Sequence, residues 1–461
     1  MIKPRVTPLN EPRPFEPHEL FFSLTDPKGR IRSGNRVFAR VSGYDESELI
    51  GEPHNLIRHP DVPRCVFKLL WDYLGRGETI AAYVKNLAAD GRYYWVLAVV
   101  TPCEGGFLSV RLNPSTPLFD AAKKLYAAIV EQESRAEAVR GKQTAMEESG
   151  AAMTAALADA GFPTYDAFMR AALRAELSSR GEHVPHAAGD AGDEALPTLH
   201  RELDTLIAQL GEVFRSLDLF ERLSAGLRDK HAAMEELGPS LSFLALNTHV
   251  SASRLGAAGV VLSVVSRRLG EQSKEAEQTI GALMERIGPA CDGARAVAFD
   301  VEVAQIEAEV CESFVRELLE ETDSQPHQRD ESLRALAAEL TERVRAVLDA
   351  LERLADDIAK MIAAARDLVK QVGQMQIAQL NGRIEVASIR EASGFATIFD
   401  DVATILGEAR GDSDEIIALL AGAAADLEGL LSVEAELNAT INRIAATTAE
   451  VISGPAELAI C

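Results

Sequence analysis

The chain has 461 residues, a formal net charge of −24 and only 5% aromatic residues. That length leaves room for two or more domains with cores of their own. The charge, with no basic stripe to offset it, argues against a nucleic-acid partner. The Ala- and Leu-rich composition favours long helices over sheets. Five cysteines (Cys65, Cys103, Cys291, Cys311 and Cys461) show neither metal-ligand spacing nor a disulfide framework, which reads as reduced cytoplasmic thiols. The start, Met1-Ile-Lys-Pro-Arg5, lacks the apolar core of a signal peptide. No uncharged apolar run approaches the ~18–20 residues that span a bilayer. A cytoplasmic protein without a membrane span is therefore expected.

Residues 18–113 hold both tryptophans and short strand-like runs. Leu20–Leu24, the turn Asp26-Pro-Lys-Gly29 and Arg30–Arg32 predict a hairpin. Asn35–Val41 and Glu46–Ile50 predict short helices, and Pro63–Leu74 a longer one closed by Gly75 and Gly77. Three strands follow, Ile80–Leu87, Tyr93–Thr101 and Phe107–Leu112, with turns at Asp90-Gly91 and Glu104-Gly105-Gly106. The unit is α+β. Residues 114–197 read as a helical connector. One helix is expected from Leu118 to about Ala158 and another from Thr164 to Leu177. Ser178–Pro197, rich in glycine and charge, reads as a flexible linker.

Beyond Pro197 the apolar residues step by four and three. Leu199, Leu203, Leu206, Leu210, Val213, Leu217, Phe220 and Leu227 form one register, with Ser224 at the missing seat. A second runs through Leu333, Ala337, Leu340, Val344, Val347, Leu351, Leu354, Ile358, Met361, Ala365, Leu368, Val372 and Met375. A 3.5-residue period held this long implies a coiled-coil bundle. Two segments 134 positions apart are near copies: Phe243-Leu-Ala-Leu-Asn-Thr-His-Val-Ser-Ala-Ser-Arg254 and Ile377-Ala-Gln-Leu-Asn-Gly-Arg-Ile-Glu-Val-Ala-Ser388. Breakers at Gly256, Gly394 and Pro326 divide this half into two hairpins, 198–325 and 326–455. Four helices are expected, about 198–254, 260–322, 329–391 and 395–453, each ~90 Å long at 1.5 Å per residue. A lone hairpin exposes an apolar stripe that the second can cover. The expected architecture is a long antiparallel four-helix bundle built from one chain. Gly238-Pro239 and Gly288-Pro289 should interrupt the first hairpin and bend it.

No catalytic constellation and no phosphate-binding glycine loop is present, so no enzyme activity and no metal site are expected. His249, beside the first repeat, reads as a surface or packing histidine. Arg58, His59 and Asp61, ahead of a proline-started helix, form a cluster rich in charge and hydrogen-bonding groups. They could hold the polar edge of a cofactor or a phosphate; equally, Arg58 and Asp61 could pair and fix their loop. Trp95 reads as core. Lys85 and Asn86 read as strand-edge contacts.

The first unit resembles the PAS domain of bacterial aerotaxis receptors. The resemblance rests on Val41-Ser-Gly-Tyr44, Glu48-Leu-Ile-Gly51, Pro53-His-Asn55, Arg58-His-Pro-Asp61, Val84-Lys-Asn86 and Tyr94-Trp-Val96. It implies non-covalent FAD and redox or oxygen sensing, with flavin contacts at Asn35, Arg58, His59 and Asp61. Ile80 stands where the family has a tryptophan. Haem on His59 is the lesser alternative.

The repeats resemble the signalling tip of methyl-accepting chemotaxis proteins. The first copy keeps Leu244-Ala-Leu-Asn247, Ala252, Arg254 and Gly256; the second keeps Leu380-Asn381, Ile384-Glu385, Ala387 and Glu391. Ser251 replaces the family glutamate in the first copy, and Ser388 the family arginine in the second. By this resemblance Leu246, Asn247, Arg254, Leu380, Asn381 and Glu385 contact a chemotaxis histidine kinase, its coupling protein or other chemoreceptors. Arg254 of one tip and Glu385 of the other would form a composite site, or each would only stabilise its own turn. The implied function is a sensory transducer, with PAS-mediated dimerisation as an option. The alternative is a scaffold or decoy that keeps the receptor shape without activating a kinase.

Overall fold

The structure, a computed structural model, describes residues 6–180, 195–216, 225–227, 230, 236, 239–240, 242–243, 246–250, 252–253, 259–320, 326–389 and 393–453. It divides into two compact units. One comprises Met1–Glu212, Phe299–Ala346 and Glu436–Cys461; the other comprises Val213–Ala298 and Val347–Ala435.

In the first unit, strands β1 (Phe21–Thr25), β2 (Ile31–Gly34), β3 (Ile80–Leu87), β4 (Tyr93–Cys103) and β5 (Gly106–Leu112) form an antiparallel sheet of order β2-β1-β5-β4-β3. Asp26 shapes the first hairpin. Its Oδ1 accepts from the backbone N–H of Lys28 and of Arg30, while Gly29 takes φ 71°. At Gly106 a Cβ would fall 1.8 Å from the Thr25 carbonyl oxygen, so β5 meets β1 only because that residue is glycine. Helices α1 (Arg36–Ser42), α2 (Glu46–Leu49) and α3 (Arg64–Gly75), with a 3₁₀ turn at His54–Ile57, are inserted between β2 and β3. Asn35 caps α1, its Oδ1 accepting from Phe38 N, and a capping box of Asp45 and Glu48 starts α2.

The connector differs from expectation. Instead of one helix from Leu118 to Ala158, there are two, α4 (Pro117–Arg140) and α5 (Lys142–Asp159). Gly141 between them takes φ 82°, a conformation that ends a helix cheaply only for glycine. The chain then reverses, and Arg140 pairs with Glu148 at 2.5 Å while Ser149 Oγ donates to Glu133 at 2.8 Å. Two buried glutamates then fasten this connector to the sheet. Glu133 accepts from the free N–H groups of Arg64 and Cys65 at the start of α3. Glu176, on α6 (Tyr165–Arg180), accepts from Ser115 N, Thr116 N, Thr116 Oγ1 and Tyr83 Oη. The expected linker lies mostly outside the described residues: α6 reaches Arg180 and α7 (Ala195–Ser216) begins before Pro197.

Long helices follow: α8 (Val260–Glu320), α9 (Pro326–Ser388), α10 (Ser393–Ser432) and α11 (Glu434–Ser453). The heptad reading holds, since every α9 seat from Leu333 to Met375 is buried, as are Leu199, Leu203, Leu206, Leu210, Val213 and Leu227. Leu217, Phe220 and Gly238 lie outside the described residues. Pro289 does not interrupt its helix. It sits inside an unbroken α8, where the buried Ile287, Ala290 and Cys291 hold the segment against its neighbours.

In the second unit four helical segments contact one another in a ring. Lys230 pairs with Asp412 at 2.9 Å and Glu415 at 2.5 Å, and Ser242 Oγ lies 3.1 Å from Ser273 Oγ. Gln371 donates to Thr279 at 3.1 Å, Gln379 to the Phe399 carbonyl at 2.7 Å, and Arg410 to Gln376 at 3.1 Å. With Gln272 also donating to Gln374, residue numbers rise along α8 and α10 as they fall along α9, so α9 is antiparallel to both. Among the described residues one stretch, Ala396–Ser453, is long and apolar enough by length and composition to cross a membrane. Only an 18-residue window within it meets that test, and the most apolar such window, 416–433, still holds Asp426 and Glu428, so no uncharged run of spanning length is present there. Its Leu406, Ile416, Leu420, Leu427 and Ile441 are buried in the structure.

In the first unit, His200 of α7 is nearly inaccessible. Its Nε2 lies 2.8 Å from Glu312 of α8 and its Nδ1 3.5 Å from Asp204. The Glu312 hydrogen bond raises its pKa, with both carboxylates adding attraction and burial opposing. The folded state thus binds the proton more tightly than the unfolded chain. The stabilisation is full below about 6.5, the ordinary histidine value, and is lost as pH rises through the raised one. Melting temperature should fall from pH 6.5 to 8.5 in the native chain, and more gently in His200→Gln. Equal slopes would show that His200 carries no such charge.

Candidate functional site

Alternation along the strands gives the sheet two faces. On one, Thr25, Val84, Asn86, Ala98, Val100, Phe107, Ser109 and Arg111 point toward α3 and the 3₁₀ turn, enclosing a cavity of about 270 Å³. Phe67, Leu70, Trp71 and Leu74 of α3 form its apolar wall. The intervening residues face the other way. Tyr83 packs on Phe119 and Phe168, Trp95 on Phe119 and Tyr126, and Phe22 edge-on against Phe314 of α8 at 5.2 Å.

The cavity's polar groups are mainly donors. Arg111 is fully buried, and among the described residues no carboxylate pairs with it. It donates to Ser109 O at 3.3 Å and Ser23 Oγ at 3.0 Å, approaches His54 Nε2 at 2.6 Å, and lies over the rings of Phe21 and Phe38. Burial pulls the Arg111 pKa down to about 10, so the guanidinium stays charged at neutral pH. Burial, and then Arg111, pull the His54 pKa down to about 3, so the imidazole is neutral and its Nε2 accepts. Asn86 Nδ2 and Ser109 Oγ are buried on the same wall with no protein hydrogen-bond partner. A buried charge without a counter-charge, beside two unmet polar groups, is costly unless a ligand completes the set.

Of the four residues expected to touch a cofactor, the structure places Arg58 on the cavity wall, stacked over Phe67 at 4.1 Å. The other three lie elsewhere. Asn35 caps α1, accepts from Phe22 N and donates to Leu20 O and to Glu317 of α8. His59 is buried beside Tyr93, its Nδ1 accepting from Asp61 N at 3.1 Å. Burial, then Lys85, lower its pKa to about 4 against the pull of Asp61. Asp61 accepts from Lys85 at 2.7 Å. Ile80 is in the core, off the wall, and Trp71 supplies an indole at the cavity instead, edge-on to Phe107 at 5.7 Å. Trp95 packs under α4 and is half-buried.

The donor set suits a flat heteroaromatic ring with electron-pair-rich atoms along one edge. The edge would face Arg111, Asn86 and Ser109, and the ring faces would meet Phe67, Leu70 and Trp71. A flavin ring has this character. Haem fits poorly, because His59 is off the wall and His54 Nε2 is already engaged by Arg111.

A second candidate site lies in the second unit. Phe243, Leu246 and Val250 are 64%, 60% and 45% exposed; Ile377, Leu380 and Ile384 are 63%, 56% and 63% exposed. The two triplets are offset by 134 positions. Each has i, i+3, i+7 spacing, so each forms one stripe on a helix. Exposed apolar groups recurring at equivalent places in both repeats mark a docking surface better than scattered ones do. The expected contacts Leu246 and Leu380 lie in these stripes, Asn381 is exposed beside one, and Asn247 and Glu385 are half-buried. Arg254 lies outside the described residues, and with it the composite Arg254–Glu385 site. At Gly382 a Cβ would fall 2.3 Å from the Phe399 ring, so this tip closes tightly around a glycine.

Comparison with known proteins bears on the domain that holds the first site. Residues 32–107 match the family described as PAS fold. The chain is 37% identical over 131 residues to the aerotaxis receptor of Escherichia coli, covering 27% of this chain and 26% of the receptor. It is 29% identical over 82 residues to the biofilm dispersion protein BdlA of Pseudomonas aeruginosa, covering 18% of this chain and 20% of that protein. The chain thus spans about a quarter or less of the length of these relatives. Among solved structures, the PAS domain of a protein from Colwellia psychrerythraea aligns with 20% of this chain and 85% of its own, at 20% identity and a TM-score of 0.18. The family match and the receptor identity make the N-terminal segment a PAS domain related to that of aerotaxis receptors, followed by a mainly helical region of long helices.

Because His54 is held neutral, its ring should carry a single proton from pH 5 to pH 8. Nitrogen chemical shifts of the imidazole, followed by NMR, should stay flat across that range. A titration centred near pH 6.5 would show that Arg111 does not face it.

Proposed function

We propose that the chain is a cytoplasmic sensory transducer whose PAS cavity holds a flavin and whose helical tips engage a chemotaxis histidine kinase and its coupling protein. The observation that carries this reading is the division of labour across the sheet. Ser109 and Arg111 line the cavity, while Leu108, Val110 and Leu112 between and beside them are buried toward the opposite face. Phe22, paired with Val110, contacts α8 directly. A shift of the strands under the cavity therefore moves the seat of a signalling helix.

Bound flavin would supply reversible electron uptake, which changes the charge of the ring. Arg111 would orient the electron-rich edge, Asn86 and Ser109 would complete its hydrogen bonds, and Arg58 would close the wall beside Phe67. Neutral His54 fixes the Arg111 guanidinium without adding a second positive charge. The outer sheet face, covered by the chain's own α4, α6 and α8, is not free to pair two PAS domains. Both hairpins come from one chain, so a single copy supplies both apolar stripes.

Two experiments test this reading. Purified protein should show flavin absorbance, lost or reduced at least tenfold in occupancy in Arg111→Ala; a Soret band or a blank spectrum would reject the cofactor. In the double variant Leu246→Glu, Leu380→Glu, capture of the kinase and coupling protein should fall by at least tenfold with helicity unchanged, because both side chains are mostly exposed. Undiminished capture would reject the tip assignment. Capture without kinase activation by the native chain would favour the decoy role, a reading that Ser251 and Ser388 support by standing in place of the family's charged residues.

A further inference from the structure

The seat of the PAS sheet on α8 and α9 contains an unbalanced ionic cluster. Arg343 of α9 donates through Nε to Glu307 of α8 at 2.8 Å. Its Nη2 donates to Glu339 at 3.1 Å and to the hydroxyls of Thr79 and Thr101 at 3.2 Å each. Nη1 lies 3.4 Å from Asp300. Thr101 in turn donates to the other oxygen of Glu307 at 3.2 Å. The side chains of Glu307, Arg343 and Glu339 are only 2%, 9% and 11% exposed; that of Asp300 is 40% exposed.

One guanidinium thus faces two buried carboxylates and a third at the edge. The other charged or titratable groups nearby do not restore the balance. Glu342 on α9 adds repulsion, and Cys103 from β4, flanked by Glu104 and Arg32, has its thiol pushed up to about 11 by burial and then by Glu339. Arg170 of α6 attracts Asp300. Two ionised carboxylates sharing one buried cation repel each other, and the cheapest relief is a proton on one of them.

We propose that this cluster is a proton-binding site, with Glu339 taking the proton from solvent, and that protonation tightens the seat of the PAS sheet on α8 and α9. Burial raises the pKa of both carboxyls. Glu339 is the better acceptor of the proton because it is nearer solvent, Arg343 gives Glu307 its shorter bond, and Thr101 gives Glu307 a second. Burial, then repulsion by Glu307, raise the Glu339 pKa to about 7, against the pull of Arg343. The sign follows. A carboxyl raised above its unfolded value of about 4.3 favours the packed state when protonated. The seat is tightest in acid and loosens as pH rises through about 7. The position matters for signalling, because Thr101 adjoins Val100 on the cavity wall. Proton and cavity ligand therefore act on one strand from opposite faces. This extends the proposed function by a second input that does not depend on the first.

The His200 cluster invites comparison as a metal site. There both ring nitrogens already face carboxylates, so an ion pair accounts for the geometry. Its raised pKa gives it the same direction with pH as Glu339.

The test is hydrogen exchange on the full chain, read as protection factors for residues 106–112 and 299–346. Between pH 8 and pH 5.5 protection should rise roughly tenfold, within the limit set by a tenfold change per pKa unit. Glu339→Gln, which mimics the protonated acid, should stay near the acid level of protection around Thr101 and Arg343 and keep only the part of the pH response that His200 adds. Glu342→Gln, at an exposed neighbour, should keep a rise of native size, with its midpoint moved only slightly toward acid. A flat native profile, or an undiminished pH response in Glu339→Gln, would overturn the inference. Should that variant fail to fold, carboxyl-carbon NMR of the native chain decides: a glutamate titrating near 7 supports the site, and its absence rejects it. Neither readout uses flavin absorbance or kinase capture, so this inference and the proposed function can fail separately.

Discussion

Side chains on a strand alternate between its two faces, and in the PAS sheet neither face is left to water. Ser23, Ser109 and Arg111 project toward the cavity; Phe22, Leu108 and Val110 lie buried on the opposite side. The register ties the two sets together residue by residue, with Phe22 opposite Val110 and Ser23 opposite Ser109. A one-residue slip would put Arg111 against the helices and Leu112 into the cavity. The Gly106 approach to Thr25 and the Asp26 turn hold β1 in register with its neighbours. A cavity with buried polar groups on one face and helix contact on the other thus follow from a single constraint, the pairing of β1 with β5.

Charge is distributed by the same logic. The chain carries 71 acidic residues against 47 basic ones, and most of the surplus can remain solvated on helix faces. A few carboxylates are buried, each with assigned work. Glu133 and Glu176 receive backbone N–H groups at the starts of α3 and α4, which fastens the connector to the sheet. Glu317 receives Arg36 N and Asn35 Nδ2, fastening α8 to α1. Glu307 and Glu339 differ in sharing one cation, so theirs is a junction where a proton relieves repulsion. Burial alone does not make that difference. It comes from the ratio of carboxylates to compensating donors.

The helical half was legible because heptad periodicity depends only on which residues are apolar, and burial follows period directly. Every α9 seat named from the spacing is in the core. The strands and short helices of the PAS unit were legible from turn chemistry at Asp26, Gly91 and Gly105. Gly141 was not, because an isolated glycine within a helical pattern is usually tolerated, and the φ of 82° depends on the tertiary return of α5 along α4. The cavity was read least well. Alternating Ser109 and Arg111 on a strand with apolar neighbours signals a solvent face. Only the insertion of α3 turns that face inward. Arg58 was named and lies on the wall; Asn86 was read as a strand-edge contact, and His54 and Arg111 were given no role, since a buried unpaired arginine and an unmet amide become visible only with coordinates. Asn35 was assigned to a cofactor, yet its caps and its bond to Glu317 explain why that position holds asparagine.

The duplicated tips follow from how a bundle is closed. Two hairpins within one chain bury each other's stripes, and the buried seats described in the repeats are mixed: Thr248 and Ala252 in one, Ala378, Gln379 and Val386 in the other. The outward triplets, Phe243, Leu246 and Val250 in one and Ile377, Leu380 and Ile384 in the other, are not needed for that closure. Folding alone would let such positions drift toward polar residues independently in each half. They are large and apolar at the same three places in both, while the charge nearby differs, with Ser251 matching Glu385 and Arg254 matching Ser388. The shared feature is therefore surface shape, and the divergent feature is charge. A partner that reads the apolar stripe would see two equivalent faces on one chain, and one that reads charge would see two different ones.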